Sequence, residues 1–333
     1  MINFDKLRSL PGWVGGNSGY KERKLIDDEV WILKFAKSTA GMKRVELSYT
    51  TAPLSEYLGS HIFEMLGIPV QKTMLGICNN ELVVACKDFN DYANHINLIT
   101  YDLIKNEYQE DLRKLIEQTL TDSQDLGHGT NLKEIIYNLE LNPTLQNIPD
   151  AKDFFWNMVL VDGLIKNNDR NSGNWGIMGN DLEPDFPVVM APVYDNGAAF
   201  SNKLSDRQML EILNDKTRLM QSSCHVDTGF DYNGKFLEFR ELLEIQNDDL
   251  KAAILRMTPI ISNRLQDIKK FIADIPVEMD GYRIISDIQR EFYYRGMEEC
   301  FSKLIRPRYD FIREEIKKIK DVGFEKNEHG MNM

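Results

Sequence analysis

The run Asn168-Asp-Arg-Asn-Ser-Gly-Asn174 is entirely polar, and within it a carboxylate, Asp169, and an amide, Asn174, stand at the spacing Asp-x-x-x-x-Asn. Phosphoryl transfer uses that spacing: one loop presents a carboxylate that orients the attacking hydroxyl and an amide oxygen that binds magnesium. Taken alone, such a run is also an ordinary Asx-rich turn capping the helix before it. A second acidic position weighs against the turn. In Ala191-Pro-Val-Tyr-Asp-Asn-Gly197, Asp195 ends an apolar, strand-like run and precedes a flexible Asn-Gly. A carboxylate there can point into a cleft and hold a hard cation such as Mg²⁺, which keeps several waters and borrows phosphate oxygens.

Both loops need elements to aim them. Glu29-Val-Trp-Ile-Leu-Lys-Phe-Ala36 is apolar, β-branched and aromatic, and reads as a buried strand. Lys34 lies inside it, and a lysine facing an interior needs a counter-charge. Nucleotide phosphates or Glu56 on the next helix would supply one, with Glu64 a competitor for Glu56 and a solvent-facing Lys34 the plain alternative. Pro53 and Gly67 bracket a helix over residues 54–66. Residues 70–77 and 82–89 read as strands joined by an Asn79-Asn80 turn. From Asn94 onward helical periodicity dominates, at residues 101–120, 132–141, 151–166, 250–272 and 284–320, interrupted by the polar loop and by short strands at 175–178 and 188–194. A strand-rich part followed by a helix-rich one predicts an α+β fold of two lobes around a cleft: residues 1–91, then 92–325, with 326–333 a disordered tail.

The chain has 333 residues and a net charge of −12, a field that repels nucleic-acid backbone and anionic membrane. No direct nucleic-acid binding and no membrane association are expected. Four cysteines are scattered without metal or disulfide spacing. No apolar run has signal-peptide or membrane-span length, so a cytoplasmic protein is expected, although a secretion signal read by a dedicated apparatus would escape this test.

Asn-x-Asp-Arg-x-x-x-Asn followed by Ala-Pro-x-Tyr-Asp resembles the HipA-type serine/threonine kinases, the toxin half of bacterial toxin–antitoxin pairs, and most closely their short forms. The resemblance runs from about Gly15 onward. It implies a bilobal protein-kinase-like fold, ATP and Mg²⁺ as cofactors, a protein Ser/Thr acceptor, autophosphorylation, and an antitoxin as a partner. It implies roles for residues as well. Asp169, Lys34 and Arg170 would be catalytic, and Asn174 and Asp195 would hold the metal. Gly16, Asn17, Ser18 and Gly19 would form a phosphate loop, Lys34 and Glu56 would grip the nucleotide phosphates, and Lys87-Asp-Phe89 would be the hinge beside adenine. Ser18, with Ser9, is the candidate autophosphorylation site, since phosphate there adds roughly two negative charges where ATP phosphates sit. The sequence departs from the family at Asn171, where a histidine or glycine is frequent, and longer HipA proteins carry an additional N-terminal domain.

Two other readings stay open on these residues. A phosphoinositide-kinase-like lipid kinase also uses an Asp-Arg-x-x-x-Asn loop, against which stand the acidic surface and the lack of an interfacial helix. A catalytically inactive binding module would use the same cleft for nucleotide or a partner. His225 beside Cys224, and the aromatic and Met residues at helical spacing, read as loop and packing residues.

Overall fold

The computed structural model describes residues 2–11, 19–91, 93–105, 130–180, 182–183 and 186–330, with positions 114 and 118, and side chains as far as residue 319. The first part is a six-stranded sheet in the order β1-β5-β6-β4-β3-β2. Its strands are β1 (Ile2–Asn3), β2 (Ser9–Leu10), β3 (Lys21–Ile26), β4 (Glu29–Lys34), β5 (Thr73–Cys78) and β6 (Glu81–Lys87). Only the β1–β5 pairing is parallel. Alternation along β4 buries Trp31 and Leu33 with Phe4, Phe35 and Val83 on one face. Lys34 therefore lies on the other face, where Val84 is its cross-strand partner. Asn79 and Asn80 both have positive φ, 53° and 61°, the backbone that a two-residue hairpin turn requires.

Helix α1 (Ala52–Met65) crosses that second face, with Pro53 in its first turn and Leu54, Leu58, Ile62 and Phe63 buried. The helical part follows. It contains α2 (Tyr101–Ile104), α3 (Leu132–Leu141), α4 (Pro143–Gln146) and α5 (Ala151–Ile165), and a sheet of β7 (Ile96–Thr100), β8 (Gly176–Asn180) and β9 (Val189–Met190). Helix α5 is buried almost all round, as a central core helix must be. Lys166 ends it in the left-handed conformation, φ 60°, which throws the chain into the polar loop. Helices α6 (Asp206–Leu213) and α7 (Lys216–Cys224), the hairpin β10 (Asp227–Tyr232) and β11 (Lys235–Glu238), and α8 (Phe239–Leu242) lie beyond. The long α9 (Asp248–Asp274) packs on α5, followed by the short strands β12 (Glu278–Met279) and β13 (Tyr282–Arg283). Helix α10 (Asp287–Cys300), a π-helical turn (Phe301–Ile305) and α11 (Arg306–Gly330) close the chain.

The α+β, two-part architecture matches the expectation. Several elements differ in detail. Residues 284–320 are two helices with a π turn between them, and the helical backbone continues to Gly330 through part of the segment expected to be a disordered tail. Strand β7 falls inside the helix-rich part because its five residues pair with β8. The helix expected over 101–120 is described only as α2, and most of the remainder lies outside the described residues. No helix among the described residues is long and apolar enough to cross a membrane.

Candidate active site

Three segments far apart in sequence meet where the sheet faces the helical part. Lys34, at the end of β4, donates to Glu56 Oε2 on α1 at 3.1 Å and to Asp195 Oδ1 at 2.9 Å. The Glu56 side chain is 1% exposed and Glu64 is exposed, so the inward carboxylate of α1 is Glu56. Burial pushes the Lys34 ammonium down, but Asp195 and Glu56 more than offset it and hold it well above the usual lysine value. Burial likewise pushes the Asp195 carboxyl up, and Lys34 reverses the sign, leaving it below the usual carboxylate range. Asp195 sits at φ 58°, a left-handed conformation that Asp tolerates better than bulkier residues.

The polar loop is held by Arg170. This side chain is fully buried, and all five of its N–H donors end on protein. Nε and Nη2 reach the two oxygens of Asp162 on α5 at 2.7 and 2.9 Å. Nη2 also reaches Asn196 Oδ1 at 2.8 Å, while Nη1 donates to the carbonyls of Asn174, at 2.8 Å, and Tyr194. One guanidinium thus ties the end of the 168–174 loop to the start of the Asp195 turn. The Tyr194 hydroxyl adds a second tie, donating to Gly173 O at 2.9 Å. The backbones of Asn174 and of Tyr194, the residue before Asp195, are brought together in this way. Within the loop the Asn174 amide donates to Asp169 O at 2.6 Å, and Asn171 Nδ2 donates to Asp169 Oδ1 at 3.0 Å.

Asp169 is exposed toward the cleft and lines it together with Lys34, Glu56, Asn168, Asp195 and Lys203. Partial desolvation by the cleft walls raises its carboxyl above the usual value; the field of Asp195 adds to this, and the Asn171 hydrogen bond opposes it. Helix α1 presses directly on the Asp195 turn. A Cβ at Gly59 would lie 2.7 Å from Asn196 Cβ, a contact only glycine permits.

The segment 69–72 stitches the two parts together. Val193 N donates to Pro69 O and Gln71 N to Val193 O, both at 2.8 Å, while Gln71 Nε2 donates to Lys87 O at 2.8 Å. Lys87 N is bonded to Lys72 O, and the Lys87 ammonium pairs with Glu29 at 2.5 Å. Lys87 therefore has its backbone N–H and its side chain engaged inside the sheet. Phe89, by contrast, packs edge-on against Tyr194, with centroids 5.4 Å apart, beside the Asp195 turn.

The expected site residues thus fall into groups. Lys34, Glu56, Asp169 and Asp195 line one cleft, Asn174 lies beside Asp169 with its amide on the Asp169 carbonyl, and Arg170 lies behind them as a brace. Gly19 (φ 96°) borders Lys37 and Phe35, while Gly16, Asn17 and Ser18 lie outside the described residues. Ser9 is exposed on β2, and its hydroxyl accepts from Lys24 at 2.9 Å. Asp162, Asn196, Gln71 and Lys203 were not expected. Asp162 carried a signal: it is a lone carboxylate near the end of an apolar helix. His225 contacts Glu238 at the surface, and the described residues contain no cluster of three or more His, Cys, Asp or Glu.

No family model matches the chain. The serine/threonine-protein kinase CtkA of Helicobacter pylori is 29% identical over 308 residues, 91% of this chain and 86% of CtkA. The crystal structure of that organism's proinflammatory kinase CtkA superposes with a TM-score of 0.78 at 27% identity, covering 94% of this chain and 99% of that one. The chain is a protein kinase that resembles CtkA. The expected likeness to short HipA-like kinases holds, and a superposition at 0.78 over almost the whole length gives this chain the kinase-like fold. HipA from a Shewanella oneidensis toxin–antitoxin complex with HipB and operator DNA superposes with a TM-score of only 0.41 at 12% identity, covering 84% of this chain and 60% of that one, too loose a fit to bear on either.

Proposed function

We propose that this kinase transfers the γ-phosphoryl group of ATP, with Mg²⁺, to a serine or threonine hydroxyl of a protein, itself included. The observation that carries the reading is the meeting of Lys34, Glu56, Asp169 and Asp195 in one cleft. The donor set fits the group. One carboxylate and one amide, Asp195 and Asn174, are a sparse oxygen set of the kind Mg²⁺ takes when phosphates and water complete its shell. Buried Glu56 Oε1 has no hydrogen-bond partner and can take a further donor from Lys34 or water.

Bound Mg-ATP supplies the phosphoryl group and neutralises the charge that builds on it. The protein's own task is positioning. Lys34, anchored by Glu56, meets the α- and β-phosphates. Asp169, its Oδ1 oriented by Asn171, accepts a hydrogen bond from the acceptor hydroxyl and draws it into line. Arg170 touches no substrate in this scheme; with every donor engaged, it sets the distance between the Asp169 loop and Asp195. The expected phosphate loop, of which only Gly19 is among the described residues, would cover the phosphates, and Phe89 rather than Lys87 would meet the adenine edge. Ser18 and Ser9 are the self-modification sites.

The test is transfer of ³²P from γ-labelled ATP to protein by wild type and by Asp169→Asn. Labelling on Ser or Thr that falls at least a hundredfold in the variant supports the reading. Equal labelling by both, or label appearing only in lipid vesicles, defeats it.

A further inference from the structure

Among the described residues three lysines line the cleft: Lys34, Lys37 on the chain that leaves β4, and Lys203 beyond the Asp195 turn. Asp169 and Asp195 both face the cleft, Lys34 is shared between Glu56 and Asp195, and every Arg170 donor is already used. The rest of the polar loop, Asn171-Ser-Gly173, is uncharged. A dianionic phosphoryl terminus brought against two carboxylates calls for a cation beyond the metal, and the loop that carries Asp169 holds no free one.

Lys203 stands on the same cleft as Asp169 and Asp195, on the chain that continues from the Asp195 turn. Its backbone is fixed from both sides. Phe200 N donates to Ile165 O at 2.8 Å, Thr51 N to Asn202 O at 2.9 Å, Leu204 N to Ser201 O at 3.0 Å, and Asn202 Nδ2 to Gly197 O at 2.5 Å. Phe200 and Ser201 hold left-handed backbones, φ 58° and 56°, a costly pair for non-glycine residues and one that persists only where surrounding contacts impose it. The Lys203 ammonium is exposed, makes no ion pair or hydrogen bond among the described residues, and lies near enough to Asp169 for its charge to favour the ionised carboxylate. A pinned, strained backbone that presents an exposed ammonium beside the acceptor-orienting carboxylate, with no direct bond among the described residues, is a site arranged for an anion.

We propose that Lys203 is a catalytic residue that contacts the γ-phosphoryl group during its transfer, supplying from the Asp195 side the cation that the Asp169 loop lacks. The bond from γ-phosphorus to the bridging oxygen of ADP breaks as the bond to the acceptor oxygen forms. The hydroxyl proton leaves toward Asp169, and the electron pair of the broken bond stays on ADP. Lys203 takes no proton; it balances the equatorial oxygens. This inference rests on the ATP reading above.

The test compares affinities for ADP and for a β,γ-imido ATP analogue, both with Mg²⁺, in the full chain and in Lys203→Met and Lys203→Arg. The ligands differ by the γ-phosphate and the imido bridge that carries it, so a change in the ratio of the two dissociation constants between wild type and variant isolates a contact to that group. Lys203→Met should lower the preference for the ATP analogue about tenfold, the scale of one charge-assisted hydrogen bond, with ADP affinity unchanged and Lys203→Arg restoring most of the preference. A ratio that is the same in wild type and Lys203→Met overturns the inference alone. A wild type that binds neither nucleotide overturns the ATP reading and this inference with it.

Discussion

Lys34 Nζ lies 2.9 Å from Asp195 Oδ1 across 161 residues of sequence, and the same ammonium lies 3.1 Å from Glu56. One cation therefore compensates two carboxylates, of which Glu56 is almost wholly buried. Removing it strips the ion pair from both and leaves Asp195 only the more distant charges of Lys21 and Arg170. Lys34→Met should destabilise the fold by about 3 kcal/mol, the cost of stripping one partner from a buried ion pair, as read by urea unfolding at neutral pH. Double substitution Lys34→Met with Glu56→Gln should recover part of that loss, because one of the stranded charges is gone.

The two aspartates respond to pH with opposite signs. The Asp195 carboxyl is held low in the folded protein, so it contributes stability above the unfolded carboxylate pKa that is lost as pH falls through its folded value. The Asp169 carboxyl is held high, first by desolvation and then by Asp195, so its ionised form weakens the fold at neutral pH. Asp169→Asn should therefore raise the melting temperature slightly at pH 7. The gain should vanish below the unfolded aspartate pKa of about 3.9, where both proteins are neutral at this position. Activity should move the other way, with phosphotransfer lost in the variant and the acid limb of the wild-type pH profile displaced above that of a free carboxylate.

Arg170 is the brace between the loops, and its geometry is specific to a guanidinium. Lysine has three donors on one atom and cannot reach Asp162, Asn196, Asn174 and Tyr194 together. Arg170→Lys should cost about 3–5 kcal/mol in unfolding experiments, as expected for a broken buried pair, and should abolish transfer in the folded fraction.

How much of this could be read in the residues themselves depended on whether the information was local. Asp169 and Asn174 belong to one turn, and Asp195 ends an apolar run, so spacing and polarity disclosed all three. Lys34 stood out as a charge inside a strand. The brace did not, because Asp162, Arg170 and Asn196 come from a helix, a loop and a turn, and nothing local marks them as partners; only the isolation of Asp162 in an apolar helix pointed inward. Nor did Lys87 reveal that Gln71 and Lys72 already occupy its backbone. Helices α6 and α7 were missed for a physical reason. Their surfaces are largely polar and only Met209, Leu213, Leu219, Ser223 and Cys224 are buried, so the apolar stripe is too sparse to see.

Gly59 offers a test of how helix α1 sets the metal turn. A methyl group there would meet Asn196 Cβ at 2.7 Å, and Asn196 also accepts from Arg170. Gly59→Ala should destabilise by about 1–3 kcal/mol through overpacking. It should also depress phosphotransfer beyond what the lost stability explains, measured at a temperature where circular dichroism shows the variant fully folded.

The central claim is that Asn174 and Asp195 share one divalent ion with a nucleotide gripped by Lys34. Electron paramagnetic resonance of Mn²⁺, standing in for Mg²⁺, measures it directly in wild type and Asp195→Asn with and without a non-hydrolysable ATP analogue. Wild type should bind Mn²⁺ tightly only when the nucleotide is present, and Asp195→Asn, still folded, should bind it at least tenfold more weakly. Nucleotide-dependent Mn²⁺ binding of equal strength in the two proteins would contradict the account.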